Sequence, residues 1–559
     1  MSAFKGIVVV VAASLAAHAA LAAPKKAAPA PSPPVATAEE EPFERAFSVP
    51  VDKPGGMAFD GTLLWVADRL GGAIRGLDPK TGAEKAKLTA PGPSPTGLAF
   101  DGALLWVADK DRGRLFGIDT AKKLVVREVE GPPGPLALAF DGTDLWVADG
   151  RQLHRVMRAD GTTIVSFPAP TWDGKGRASE QLGMAYADGY LWVSDRKTNT
   201  IYRVEKERGE VVDTIKAPGP FPSGLAIVDG KLLVADVQAR AVDRIDPAAL
   251  PQVIRRDAKR ETVVLRRRVT NRGPDRIADA DVWIAVPVSA PNQALVGDPA
   301  FEPAPKEMVT DQWGQRFAHF TARDLFPAKS LDVQMTVSAT LFSVHTHIDP
   351  AKVGDLASIP KDVRDKYLAD GAKYDLKHPS IKKHLAAALG GEKRPYWMVR
   401  KIAAYIGAHM DYEMTGGWNT APTVIDRGTG SCSEYTFVFI ALCRAAGIPA
   451  RYQGALVVRG DDASTDDVFH RWAEVYLPGY GWVTADAQAA DKPTPEERGA
   501  VLGNLENRFV VTTVDGGGST YLDWDYNSLA RWTCTGRCDV EDSNLGDWYP
   551  MEKQVSRAP

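Results

Sequence analysis

Cysteine is scarce in this chain, four residues among 559. Disulfides therefore do not hold the fold together, and a thiol in a distinctive setting becomes a chemical signal. Surplus charge is lacking too. A formal net charge of −4 gives no reason to expect nucleic acid as a partner. The one dense basic stretch, Arg255-Arg256 through Arg266-Arg267-Arg268, alternates with Val263, Val264 and Val269 and reads as the solvated side of a strand. Past the first residues, no apolar run approaches the roughly 18 residues that cross a bilayer, so no membrane span is expected.

The N-terminus carries a short apolar run of a different kind. Lys5 precedes the stretch Gly6 to Ala17, and Ala20-Leu21-Ala22 follows as a small-residue cleavage site. That order predicts a secretory signal over residues 1–22, cut after Ala22, and a periplasmic or secreted protein. No cysteine follows the site to take a lipid anchor. Residues 23–42, rich in Ala, Pro and Lys, are expected to be a disordered linker. What remains is 44% hydrophobic and 25% charged overall, an ordinary globular composition, and too long for a single core.

A repeat dominates the first half. Ala58-Phe59-Asp60-Gly61 leads to Leu64-Trp65-Val66-Ala67-Asp68, and the same pattern returns around Trp106, Trp146, Trp192 and Leu233, at steps of 41, 40, 46 and 41 residues. That period predicts four-stranded propeller blades over residues 43–250. Asp-Gly between two short apolar strands predicts a type I′ hairpin, in which both turn residues take positive φ. The last repeat lacks a fourth strand and Phe43 to Val49 supplies a spare one, so the ring is expected to close by pairing its ends. Five blades are counted, or six if a divergent one hides between Gly150 and Glu180. The repeated Trp and Asp read as blade packing and strand-end capping. These repeats resemble NHL and YVTN-type β-propellers, which implies a domain that binds or positions a protein partner.

Residues 251–350 keep a period near two, with strands at Thr262–Thr270, Asp281–Pro287, Arg316–Thr321 and Leu331–Phe342, as in a β-sandwich. His345 and His347 would share one face of a strand, but no carboxylate or thiol cluster accompanies them in sequence, and no metal is expected. From Lys361 to Met410 the pattern turns helical.

The chemistry concentrates further on. Ser431 followed by Glu434 is a capping-box signature, and it makes Cys432 the first residue of a helix expected to end at Gly447. Unpaired amides and the positive dipole end would lower the thiol pKa there. Gly428 and Gly430 would turn the backbone and leave space beside the sulfur. Cys443, three turns along, reads as core. His470 opens a strand that turns at Pro478-Gly479-Tyr480-Gly481 and returns through Trp482 to Asp486, so the imidazole and the carboxylate can meet. Asp461 to Asp467 is a candidate gate. Cys534 and Cys538 are expected to form a local disulfide, two ligands alone being too few for a zinc site.

Gly430-Ser431-Cys432, the stretch Arg444 to Arg451, His470-x-Trp472-x-Glu474-Val475 and Gly481-Trp482-Val483 before Asp486 together resemble the transglutaminase-like superfamily, over about residues 395–490. The resemblance implies an α+β papain-like core (351–490 here) that uses no cofactor. In it Cys432 would be the nucleophile, His470 the general base and acid, and Asp486 its orienter, forming a thioester with a protein or peptide carboxamide. The Cys432 amide would be one oxyanion donor; a second could be Tyr412, preferred here, Trp418 or Trp397. Water or a lysine amine could resolve the thioester, with hydrolysis favoured. Residues 491–559 read as a C-terminal extension wrapping the core. The competing reading is a non-catalytic binding or assembly protein in which the propeller does the work.

Overall fold

The computed structural model describes residue 39 and residues 42–176, 178–414, 418–459 and 464–551. The expected signal and most of the linker lie outside the described residues, as do residues 461–463 of the candidate gate. Among the described residues, no helix is long and apolar enough to cross a membrane.

The repeats form five four-stranded sheets. Gln152–Val156 and Thr163–Pro168 complete the third of them. In the fifth, Phe43–Ser48 pairs with Ala241–Ile245, joining the two ends of the region. The turns divide into two kinds. Asp188-Gly189 and Asp229-Gly230 have positive φ at both residues, as type I′ requires. In the first three repeats two further residues stand between Asp-Gly and the next strand, and only the glycine has positive φ. The aspartate side chain shapes the turn there. Asp60 Oδ1 accepts from the Thr62 and Leu63 amides, while Oδ2 accepts from Trp65 Nε1 at 2.7 Å. Asp101–Trp106 and Asp141–Trp146 repeat that bond at 2.9 and 3.1 Å. Each indole is thus buried with its one donor satisfied.

The middle of the chain is a two-sheet sandwich. Val253–Asn271 runs between Ser330–Thr346 and Val540–Pro550, and Ile277–Ala285 between Arg316–Leu325 and Ser528–Cys534. The C-terminal residues do more than wrap the core: they also supply one strand to each sheet of the sandwich. The basic stretch also departs from a purely solvated face. Arg266 and Arg268 are exposed, but Arg267 points inward, where it meets the Ser528 carbonyl at 3.3 Å and pairs with Asp542. Cys534 and Cys538 are joined by a disulfide.

The α+β region places helix Cys432–Ala445 against an antiparallel sheet ordered Gly481–Ala485, His470–Leu477, Ala450–Val457, Phe509–Asp515. Helices Pro379–Leu389 and Pro395–His409 pack on its other side. Nearly every residue of the central helix is buried, Cys443 completely. Burial pushes the Cys443 thiol up, away from ionisation. The helix stops at Ala445, two residues before Gly447, whose φ of +82° breaks the repeat. Arg400 ties this half to the propeller, with Nη1 on the Val211 carbonyl at 3.0 Å and Nη2 on Glu210 at 2.6 Å.

Candidate active site

Local chemistry sets Cys432 at its helix start. Ser431 is the N-cap in extended backbone, and Glu434 Oε2 accepts from the Ser431 amide at 3.2 Å. The reciprocal contact of the capping box is poorer: buried Ser431 Oγ makes no well-aligned hydrogen bond. Glu434 is fully buried and finds other donors, the Asn419 amide and Nδ2 at 3.0 and 3.1 Å and Arg427 Nη2 at 2.9 Å. One carboxylate thus fixes the loop before the helix, the helix above that loop and the turn carrying Cys432. Gly428 ends helix Ala421–Arg427 at φ +77°. Gly430 does not open space beside the sulfur, since a Cβ there would meet Glu434 Cβ at 3.0 Å and Met410 Cε at 3.3 Å. It permits close packing instead.

The hairpin brings the other two side chains in. His470 begins its strand, and Asp486 follows directly on Gly481–Ala485, the neighbouring strand. His470 Nε2 meets Asp486 Oδ2 at 2.9 Å. Asp486 is itself held as the N-cap of the 3-10 turn Ala487–Asp491, its Oδ1 accepting from the Gln488 amide at 3.0 Å. The imidazole packs against both Trp472 and Phe509, with ring centroids 5.6 and 5.4 Å away, and these two rings touch each other at 4.9 Å. With Nε2 engaged by Asp486, Nδ1 is the ring nitrogen left over, and Cys432 is the next group whose charge acts on the imidazole. The Phe469 carbonyl is 3.9 Å from Sγ.

Charge is distributed accordingly. Burial alone would raise the Cys432 pKa, but the hydrogen bond and charge of His470, followed by the amide and guanidinium of Arg471, outweigh it and hold the thiol below its usual range. Burial would conversely neutralise His470; the charge and hydrogen bond of Asp486, then those of Cys432, push it up to about 10. Each group stabilises the charged form of the other.

The three oxyanion candidates separate. Tyr412 sits on Asp411–Tyr412, which pairs in parallel with Thr429–Gly430 on the approach to Cys432. Partial burial and then the charge of Cys432 raise its phenol pKa. Trp418 packs instead over the Arg471 guanidinium, 5.2 Å from its ring centroid. Trp397 is buried in helix Pro395–His409 beneath Arg208, which reaches over from the propeller at 4.3 Å. It has no place in the site.

Several neighbours carry no sequence signal of their role. Arg471 is completely buried among aromatic rings, 4.2 Å from Tyr526 and 4.6 Å from Tyr452. The Tyr526 phenol is pushed up by burial and by Cys432. Phe509 and Tyr526 come from the C-terminal 70 residues, where no motif surrounds them; only the nucleophile's strong apolar helix hints that some outside element must cover it. A cavity of about 300 Å³ opens on the far side of His470, lined by Asp486, Trp472, Phe509, Asn504 and His345. His345 and His347 do have a carboxylate neighbour after all: Asp213, contributed by the propeller.

Residues 383–487 match the family model of the transglutaminase-like superfamily. This region is a transglutaminase-like domain. Among solved structures, a candidate cysteine protease of Cytophaga hutchinsonii is 16% identical, with 54% of this chain and 100% of that one covered at a TM-score of 0.38. A glutaminyl cyclase of Myxococcus xanthus is 15% identical over 36% of this chain and 94% of its own, at 0.32. Virginiamycin B lyase of Staphylococcus aureus is 23% identical over 32% and 62%, at 0.24. No curated protein sequence matches the chain. The matched stretch ends at residue 487, directly after Asp486.

Proposed function

We propose that this protein is an exported transglutaminase-like cysteine enzyme that attacks carboxamides of peptides or proteins through Cys432. The observation carrying the proposal is the charge pair: a thiol on a helix N-terminus, lowered by an imidazole that Asp486 holds at 2.9 Å. Burial of an unpaired thiolate would be costly, and a structural cysteine would be pushed up, as Cys443 is.

The steps follow from the protonation states. The Cys432 thiolate adds to the carboxamide carbon, and charge moves to the carbonyl oxygen, where the Cys432 amide and the Tyr412 phenol are the donors. The tetrahedral species collapses as His470 Nδ1 gives its proton to the departing amine, leaving a thioester on Sγ. His470, now neutral, takes a proton from water, whose oxygen adds to the thioester carbonyl. Collapse releases the carboxylic acid and restores the thiolate beside the imidazolium. A lysine amine in place of that water would give a cross-link. Asp486 keeps the ring's tautomer and orientation throughout.

Export rests on the Lys5-to-Ala22 pattern and on the Cys534–Cys538 disulfide, which persists in oxidising compartments. The propeller is assigned to recognition of a protein partner.

A thiol-directed covalent probe tests the reading. Labelling at Cys432 at neutral pH that drops sharply in His470→Ala supports the enzyme; equal labelling in both supports the non-catalytic binding protein. Release of ammonia or of a cleaved peptide, with and without added amine, then separates hydrolysis from transfer.

A further inference from the structure

The Asp213 cluster is independent of the thiol chemistry. His345 and His347 alternate on strand Ser330–Thr346 and its end, while Asp213 comes from Glu210–Lys216, the last strand of the fourth propeller sheet. All three are buried, and one nitrogen or oxygen of each lies within 4.8 Å of the others. His345 Nε2 is 2.7 Å from Asp213 Oδ1, and His347 Nδ1 is 3.0 and 3.2 Å from the two carboxylate oxygens.

The hydrogen-bond inventory around them does not close with neutral rings. His345 Nδ1 lies 2.7 Å from Asn504 Oδ1, an acceptor, so Nδ1 carries the proton. In the neutral tautomer the Nε2 lone pair then faces a carboxylate oxygen, which also accepts from the Thr214 amide at 2.8 Å. A positive charge is required between them. The other ring offers a second irregularity: His347 Nε2 is buried with no hydrogen-bond partner. It belongs to the wall of a cavity of about 420 Å³ that Asp213 also lines. Arg203 on the same wall is matched by Asp349 at 3.1 Å, so it does not supply the missing charge.

We propose that Asp213, His345 and His347 bind a zinc-class divalent cation that fastens the propeller to the β-sandwich preceding the transglutaminase-like domain. Two imidazoles and a carboxylate are a donor set for borderline metals, with Asn504 as the outer partner that fixes the His345 tautomer. Tetrahedral bonds of about 2.0–2.1 Å hold ligand atoms about 3.3 Å apart; the two nitrogen–oxygen separations, 2.7 and 3.0 Å, need open by only a few tenths of an ångström to match. Once His347 Nδ1 ligates, its Nε2 carries the proton and points it toward the cavity, and water there can complete both that bond and the metal's fourth position. Because the ligands come from both domains, the ion acts as a staple.

Cobalt(II) serves as the visible probe on the full chain after chelation, in a Cys432→Ala background so that the thiol contributes no ligand. One equivalent should give tetrahedral d–d absorption that zinc(II) bleaches by displacement, with binding weakened at least 100-fold in Asp213→Asn and in His347→Gln. Asn504→Ala, an outer-partner change, should cost about 10–100-fold. If the ligand variants fail to fold, the parent still decides: zinc(II) should raise its unfolding temperature where magnesium(II) does not, and slow hydrogen exchange in 210–216. Absence of both the cobalt band and the zinc shift in the folded parent overturns the proposal, as does a band undiminished in a folded His347→Gln.

Discussion

Two histidine–aspartate constellations lie in this molecule, and they differ in what stands beyond the ring. His470–Asp486 has a thiol on its far side and is open enough for a substrate, the two side chains being 18% and 31% exposed. His345 and His347 with Asp213 are sealed, at 7%, 7% and 4%. In the first, Asp486 and then Cys432 raise the imidazole pKa against the effect of burial. In the second, two rings converge on one carboxylate. The same pair of residue types can activate a nucleophile or hold structure together; the neighbour on the other ring nitrogen decides which.

The comparison can be broken first at the nucleophile. Cys432→Ala should abolish turnover, a loss of at least about 10⁴-fold, since no other group can form the thioester. Its circular dichroism spectrum should be unchanged. Asp486→Asn should cost on the order of 10²–10⁴ in kcat by freeing the ring to take the wrong tautomer, read alongside a slower thiol-labelling rate. A fall in labelling without a shift in its pH dependence would count against the charge-pair account.

The pH response has a defined sign. His470 is raised from 6.5 to about 10, so its stabilising contribution is complete below about 6.5 and is lost as pH rises through about 10. Cys432 is lowered from 9.0, so its contribution is complete above about 9 and is lost as pH falls through the folded value. Between pH 9 and 10 only the histidine loss remains. Thermal unfolding should therefore show wild type losing stability in that window, with the loss smaller in His470→Gln. Activity should decline over the same range as the proton that His470 gives to the leaving amine disappears.

The smallest effect should come from the seam. Arg400→Ala removes bonds to Val211 and to half-exposed Glu210, and should lower stability by about 1–3 kcal/mol. Cys432 labelling should stay at the wild-type rate. If labelling falls with the seam intact in other respects, the two halves are coupled more tightly than the comparison allows.

Legibility followed the range of the interactions. The propeller could be read because four of its five sheets are each built within about 40 residues around one Trp and one Asp-Gly, so the period survives in the linear order. Even there the turn type was only half visible. Two residues more after Asp60, Asp101 and Asp141 replace a type I′ turn by an aspartate-capped one. Cys432, His470 and Asp486 could be named because a cap and a hairpin are local patterns. Tyr526, Phe509 and Arg471's aromatic surround could not, because they meet only through folding. Asp213 was beyond reach for the same reason: it is 132 residues from His345 and belongs to another domain.

Strand Val540–Pro550 lies along Val253–Asn271, which is made almost 300 residues earlier. While the chain is being threaded out of the ribosome or across a membrane, that earlier strand waits with one edge unpaired. Phe509 and Tyr526, which enclose the histidine and the nucleophile, arrive only shortly before the last strand. A chain interrupted between Asp486 and Phe509 carries Cys432, His470 and Asp486 yet lacks those walls. The walls of the candidate site are thereby supplied only near the end of the linear order of the chain.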